Sequence, residues 1–129
     1  MLKAGILNPQ INSLLSRVRH TNTLVIADRG FPFWPEIETV DISLVDNIPS
    51  VLDVLRALRL NFVIGKAWMA EEFRRNNGEP VCQAFAEVLQ GISLAYEPHV
   101  EFKKRVPRAI GLIRTGDTVQ YANIILESA

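Results

Sequence analysis

The 129-residue chain has little of what several common chemistries require. Its single cysteine, Cys82, cannot form an intramolecular disulfide, which favours a reducing compartment. Fourteen basic side chains balance fourteen acidic ones, so there is no electrostatic case for binding nucleic acid or an anionic membrane. No segment approaches the ~18 consecutive apolar residues of a membrane span, and the first residues show no basic region followed by a long apolar run. A cytoplasmic protein with no membrane or nucleic-acid partner is expected. Only two histidines, His20 and His99, accompany the cysteine, and no cluster has ligand spacing, so no metal site is expected. Asp28-Arg29-Gly30 lacks the further glycines of a phosphate-cradling loop. No Gly-x-Ser-x-Gly elbow is present, which argues against a serine nucleophile.

What is present fits one soluble globular domain, residues 1–129, with 48% hydrophobic and 22% charged residues. Asn8-Pro9 starts a helix whose Ile11, Leu14, Leu15 and Val18 share one face. Thr23 to Ala27 is a short, β-branched, apolar run, read as a buried strand. A loosely alternating stretch from Ile37 to Val45 holds a further short strand. Ser50 and Asp53 form a capping box for a helix carrying Val51, Val54, Leu55 and Leu58. Phe62 to Met69 reads as a central strand interrupted at Gly65 and Lys66. A third helix carries Val81, Phe85, Val88 and Leu89, and Ile92 to Tyr96 is a strand. Pro98 to Val106 is a charged helix ended by Pro107, and two late strands, Ala109 to Ile113 and Asn123 to Leu126, follow. Helices alternating with short apolar strands argue for an α/β domain with helices packed on a largely parallel sheet.

The strand at 23–27 is bracketed by an imidazole, His20, and a carboxylate, Asp28. Ligands of α/β sheets sit beyond the carboxyl ends of strands, and an acid–base pair there suits proton transfer on a small molecule. Each residue also has a plainer role: His20 as a helix-end cap and Asp28 as a loop cap. Phe31, Phe33 and Trp34 form the densest aromatic group, read as a subunit contact ahead of a sugar platform. Tyr121 and Asn123 offer a hydroxyl and an amide at the last strand.

Three landmarks in order complete the reading: His20-Thr21 leading to Leu24-Val-Ile-Ala-Asp28-x-Gly30-x-Pro32, then His99-x-x-Phe102-Lys103, then Ile113-Arg114-Thr-Gly-Asp117 with Tyr121-Ala-Asn123. Together they resemble the D-ribose pyranase and L-fucose mutarotase family, and His99 with Phe102-Lys103 resembles its ribose branch. The resemblance implies a cofactor-independent mutarotase that interconverts ring forms of a free monosaccharide, D-ribose above others. It implies His20 as proton donor, with Asp28, His99, Lys103, Tyr121 and Asn123 binding the sugar. It further implies a ring-shaped homo-oligomer, pentamer or decamer, with the site between neighbours and Tyr121 and Asn123 supplied by the adjacent subunit. Two positions depart from the family pattern: Asn22 stands where Asp is usual, and Arg29 where a small residue is usual. They leave open a non-catalytic sugar-binding or regulatory relative, or a mutarotase of another sugar such as L-fucose.

Overall fold

A computed structural model describes all 129 residues. Asn8 caps α1 (Pro9–Ser16), its side chain accepting the Ile11 N–H at 2.9 Å, and Ile11 and Leu14 bury the inner face. The expected strand at Thr23–Ala27 is β1. β2 occupies Glu38–Asp41, inside the longer stretch read from sequence. The capping box forms as expected: Ser50 accepts the Asp53 N–H, Asp53 accepts the Ser50 N–H, and α2 runs over Val51–Asn61. β3 (Ile64–Ala70) slips register between Ile64 and Lys66, where Gly65 broke the apolar pattern. α3 (Glu71–Asn76), α4 (Glu79–Val88), β4 (Ser93–Glu97) and α5 (His99–Arg105) follow. Pro107 sits in a 3₁₀ turn, after which come β5 (Gly111–Arg114) and β6 (Ile124–Ser128).

The six strands form one sheet in the order β2-β5-β1-β6-β3-β4. The expectation of a largely parallel sheet holds for five strands and fails for the sixth. β6 runs antiparallel to both neighbours, β1 and β3, while the other three pairings are parallel. The sheet is mixed because the final strand enters its centre from the opposite end. That reversal places the start of β6 beside the carboxyl ends of the other five strands, where the loops gather.

Alternate residues of β1 feed different cores, as the two-residue period of a strand requires. Leu24 and Ile26 pack with α1, α2, Phe73 of α3 and Phe85 of α4. Val25 and Ala27 face Phe31, Phe102 of α5, Val106 and Ala109. Leu24, Val25 and Ile26 are fully buried, each adding about 1.5–3 kcal/mol by transfer from water. The segment therefore has no polar alternation to read, being covered on both faces.

Candidate functional site

A cleft of about 390 Å³ opens at the carboxyl ends of the parallel strands, lined among others by Asp28, His99, Asp117, Gln120, Tyr121 and Asn123. Its size and position suit a small ligand of an α/β sheet. Each side chain arrives for a local reason. Asp28 leaves β1 into a tight turn, its Oδ1 accepting the Gly30 N–H at 2.9 Å. Asn123, the residue before β6, accepts the Asp28 N–H at 2.8 Å through Oδ1. His99 opens α5 immediately after β4.

The loop from 115 to 121 is anchored from beneath. Thr115 donates to the Ala27 carbonyl through both its N–H (2.9 Å) and its hydroxyl (2.8 Å). Asp117 is buried, and its two carboxylate oxygens accept the N–H groups of Val51 and Val119, each at 2.8 Å. It thereby caps α2 and shapes the pocket wall together. In the sequence Asp117 stood out only as part of the third landmark, with no role of its own. Its bond to the Val119 N–H is local, but the Val51 N–H lies 66 positions away and left no signal in the sequence. Tyr121 holds φ at +56°, a left-handed backbone uncommon for a residue with a side chain, so the loop holds some strain beside the cleft.

Burial shifts the ionisation of two groups that face the cleft, in opposite directions. Burial pushes the Asp28 carboxyl above its ordinary range, against the lowering effect of the Gly30 N–H, the Asn123 amide and the Phe31 N–H. Burial, helped by the Lys103 ammonium, pushes the His99 imidazole below its ordinary value, while the Glu72 and Asp28 carboxylates pull it back. His99 packs edge-on against Tyr121 at 5.0 Å and against Phe31 at 6.2 Å. Lys103 lies one turn after His99 on α5 and outside the cleft lining.

His20 is not in this cleft. It is exposed, in the turn before β1. The five residues of β1 alone separate the two ends by roughly 16 Å, at about 3.3 Å per residue. Within one protomer the imidazole of His20 and the carboxylate of Asp28 therefore lie at opposite ends of the sheet. The assignment of Tyr121 and Asn123 to a neighbouring subunit is also corrected, since both line the same cleft as the chain's own Asp28. The antiparallel entry of β6 brings them there.

The two unusual positions have defined surroundings. Asn22 accepts the Arg19 N–H through Oδ1 at 2.8 Å, holding the turn that carries His20. The next residue after His20, Thr21, has φ +65°, strained for a β-branched side chain, and donates its N–H to the Ser128 carbonyl. Arg29 turns away from Asp28 and pairs with Asp46 at 2.9 Å. Of the aromatic group, Phe31 is core and Phe33 is 76% exposed, while Trp34 packs on Phe31 at 6.2 Å. No cluster of histidine, cysteine and carboxylates is arranged to hold a metal, and no helix is long and apolar enough to cross a membrane.

Comparisons with known proteins agree with this architecture. The D-ribose pyranase of Geobacillus kaustophilus is 39% identical over 128 residues, covering 99% of this chain and 93% of the relative. The D-ribose pyranase of Laribacter hongkongensis is 36% identical, covering 99% of this chain and 97% of the relative. The structure of Bacillus subtilis RbsD complexed with D-ribose superimposes with a TM-score of 0.93 at 31% identity, covering 100% of this chain and 98% of that one. The fucose mutarotase of Streptococcus pneumoniae, in complex with L-fucose, shares the fold at a TM-score of 0.85 and 18% identity, covering 99% of this chain and 98% of that one. The pattern that defines the RbsD / FucU transport protein family matches residues 1–129, and with these full-length relatives it establishes that the chain belongs to that family.

Proposed function

We propose that this protein is a sugar mutarotase that interconverts the pyranose and furanose forms, and the anomers, of D-ribose by general acid–base opening of the hemiacetal. The observation that carries the reading is the cleft itself. A carboxyl raised and an imidazole lowered by burial share it with a phenol and an amide, at the ligand-binding end of an α/β sheet. Similarity to full-length D-ribose pyranases supports the choice of sugar.

The reaction needs one group to protonate the ring oxygen while another takes the proton from the anomeric hydroxyl. The C–O ring bond breaks, the aldehyde forms, and reclosure through a different hydroxyl gives the other ring size. The opening is redox-neutral and needs only an acid and a base, which side chains supply without a metal or an organic cofactor. Asp28 holds the anomeric region by a charge-assisted hydrogen bond and takes the proton of the anomeric hydroxyl; His99, Tyr121 and Asn123 contact ring hydroxyls, and Lys103, outside the cleft lining, acts through the His99 imidazole. His20 is the proton donor and, being remote from Asp28 in its own chain, enters the cleft from a neighbouring protomer. The assembly is a homo-oligomeric ring, pentameric or decameric. Exposed Phe33, Leu44, Val45 and Ile48 supply apolar surface for such a contact. The protein works in the cytoplasm.

Exchange NMR on D-ribose tests the reading. Wild-type protein accelerates interconversion over buffer, and His20→Ala does not. A wild type no faster than buffer removes the proposed activity. A second reading rests on the opposed shifts of Asp28 and His99, which suit an acid–base pair inside one protomer. Undiminished activity in His20→Ala selects that reading.

A further inference from the structure

Helix α3 and the residue that ends it touch both walls of the cleft through Glu72 and Asn77, neither of which lines it. On one side, both carboxylate oxygens of Glu72 accept the backbone N–H of His99, at 3.0 and 3.2 Å. The first turn of α5 needs such an acceptor, because its N-cap is Pro98 and supplies no side-chain hydrogen bond. On the other side, Asn77, at the end of α3, donates its amide to the Gln120 carbonyl at 2.9 Å and to the Phe73 carbonyl at 2.8 Å. Gln120 precedes Tyr121, whose left-handed backbone must be held from outside. Phe73, fully buried between these two polar residues, fixes α3 to the core and stacks edge-on with Phe85 at 4.8 Å.

We propose that Glu72 and Asn77 are positioning residues of the sugar site, α3 acting as a clamp that sets the distance between His99 and Tyr121. The proposal rests on the mutarotase reading for its kinetic consequence and not for its structural one. A rigid support held within a fraction of an ångström is what substrate orientation requires, and losing it reduces turnover efficiency without removing any group that touches sugar. Glu72 also belongs to the charged surroundings of His99, with Lys103 from α5 itself and Asp28 from the loop after β1, while the Tyr121 ring packs against it.

The test compares Glu72→Ala, Glu72→Gln and Asn77→Asp with wild type, with folding checked by thermal unfolding. Glutamine keeps an acceptor for the His99 N–H but loses the charge; aspartate keeps the shape of Asn77 but loses the donor. In D-ribose exchange, Glu72→Ala and Asn77→Asp raise KM roughly tenfold, and Glu72→Gln stays within about twofold of wild type. Without sugar, NMR titration of the imidazole C–H signals shows the His99 midpoint falling in both Glu72 variants. If Glu72→Ala fails to fold, Asn77→Asp and Glu72→Gln carry the comparison alone. A wild-type KM in Asn77→Asp, a Glu72→Gln variant as impaired as Glu72→Ala, or an unmoved His99 midpoint overturns the clamp. A wild type without exchange activity overturns the mutarotase reading instead, and sugar-free backbone amide spectra then decide the clamp: a displaced Tyr121 signal in Asn77→Asp and a displaced His99 signal in Glu72→Ala support it, and unmoved signals overturn it.

Discussion

The backbone N–H of Asp28 donates to the side-chain oxygen of Asn123 at 2.8 Å, joining residues 95 positions apart. This bond closes the end of β1 onto the start of β6, and it exists because β6 runs against its neighbours. The carboxylate and the amide named from sequence are thus parts of one turn-to-strand junction. Replacing Asn123 by Ala leaves the Asp28 N–H without its acceptor in a region that is 3% exposed at Asn123. A loss of about 1–3 kcal/mol in stability follows, read as a lower thermal midpoint, together with loss of ribose exchange.

Asp28 separates stability from activity. Its folded-state pKa lies above the unfolded value, so its contribution to stability is present below the unfolded pKa and is lost as pH rises through the folded pKa. Asp28→Asn keeps the Oδ1 acceptor for the Gly30 N–H and removes the desolvated charge. Thermal unfolding at neutral pH shows the variant at or above the wild-type midpoint, with the difference shrinking in acid. Ribose exchange by the same variant falls by about 10² or more.

His99 has the opposite sign. Its folded-state pKa is lowered, so its neutral form contributes stability above the unfolded value, and that contribution is lost as pH falls through the folded pKa. Ribose exchange falls along the acidic limb of the pH profile, below the ordinary imidazole range. His99→Gln, which cannot be protonated, removes that limb while retaining a folded protein.

Gly116 is required for steric reasons. A Cβ added there would collide with the Val45 carbonyl oxygen and lie 3.1 Å from the Ile48 carbonyl oxygen, both backbone atoms of the loop that carries Asp46 and Asn47. Gly116→Ala lowers stability by about 2 kcal/mol or more, measured by denaturant unfolding. It also loosens the Asn47 contacts to Thr118, which the hydroxyl and N–H of Thr118 make at 2.8 and 3.0 Å.

Much of this molecule was legible in the sequence, for reasons that can be named. β1 and the capped starts of α1 and α2 carry strong local signals, an unbroken apolar run and two side-chain caps. α3 was not legible: Glu-Glu-Phe-Arg-Arg-Asn has one buried residue, no side-chain cap and no apolar period. Strand direction was likewise hidden, since nothing local to Ile124–Ser128 states which way it enters the sheet. Asp28, His99, Tyr121 and Asn123 were named from chain position and resemblance, and they share one cleft. His20 was named in the same way and lies in the exposed turn before β1, away from the cleft at the other end of that strand.

That separation yields a direct prediction about assembly. Neither His20→Ala nor Asp28→Asn alone accelerates exchange, whereas co-assembled mixtures of the two regain a fraction of wild-type activity, because some clefts then combine an intact His20 with an intact neighbouring Asp28. Mixtures as inactive as their parents contradict the shared site, and light scattering that finds an active monomer contradicts it independently.

The most direct measurement is magnetisation transfer between the pyranose and furanose signals of D-ribose at equilibrium, with no net reaction to complicate the readout. Catalytic amounts of wild-type protein increase the transfer rate above buffer, and equal amounts of Asp28→Asn leave it at the buffer value. Equal rates for wild type and buffer, or for wild type and Asp28→Asn, contradict acid–base opening of a sugar ring in this cleft.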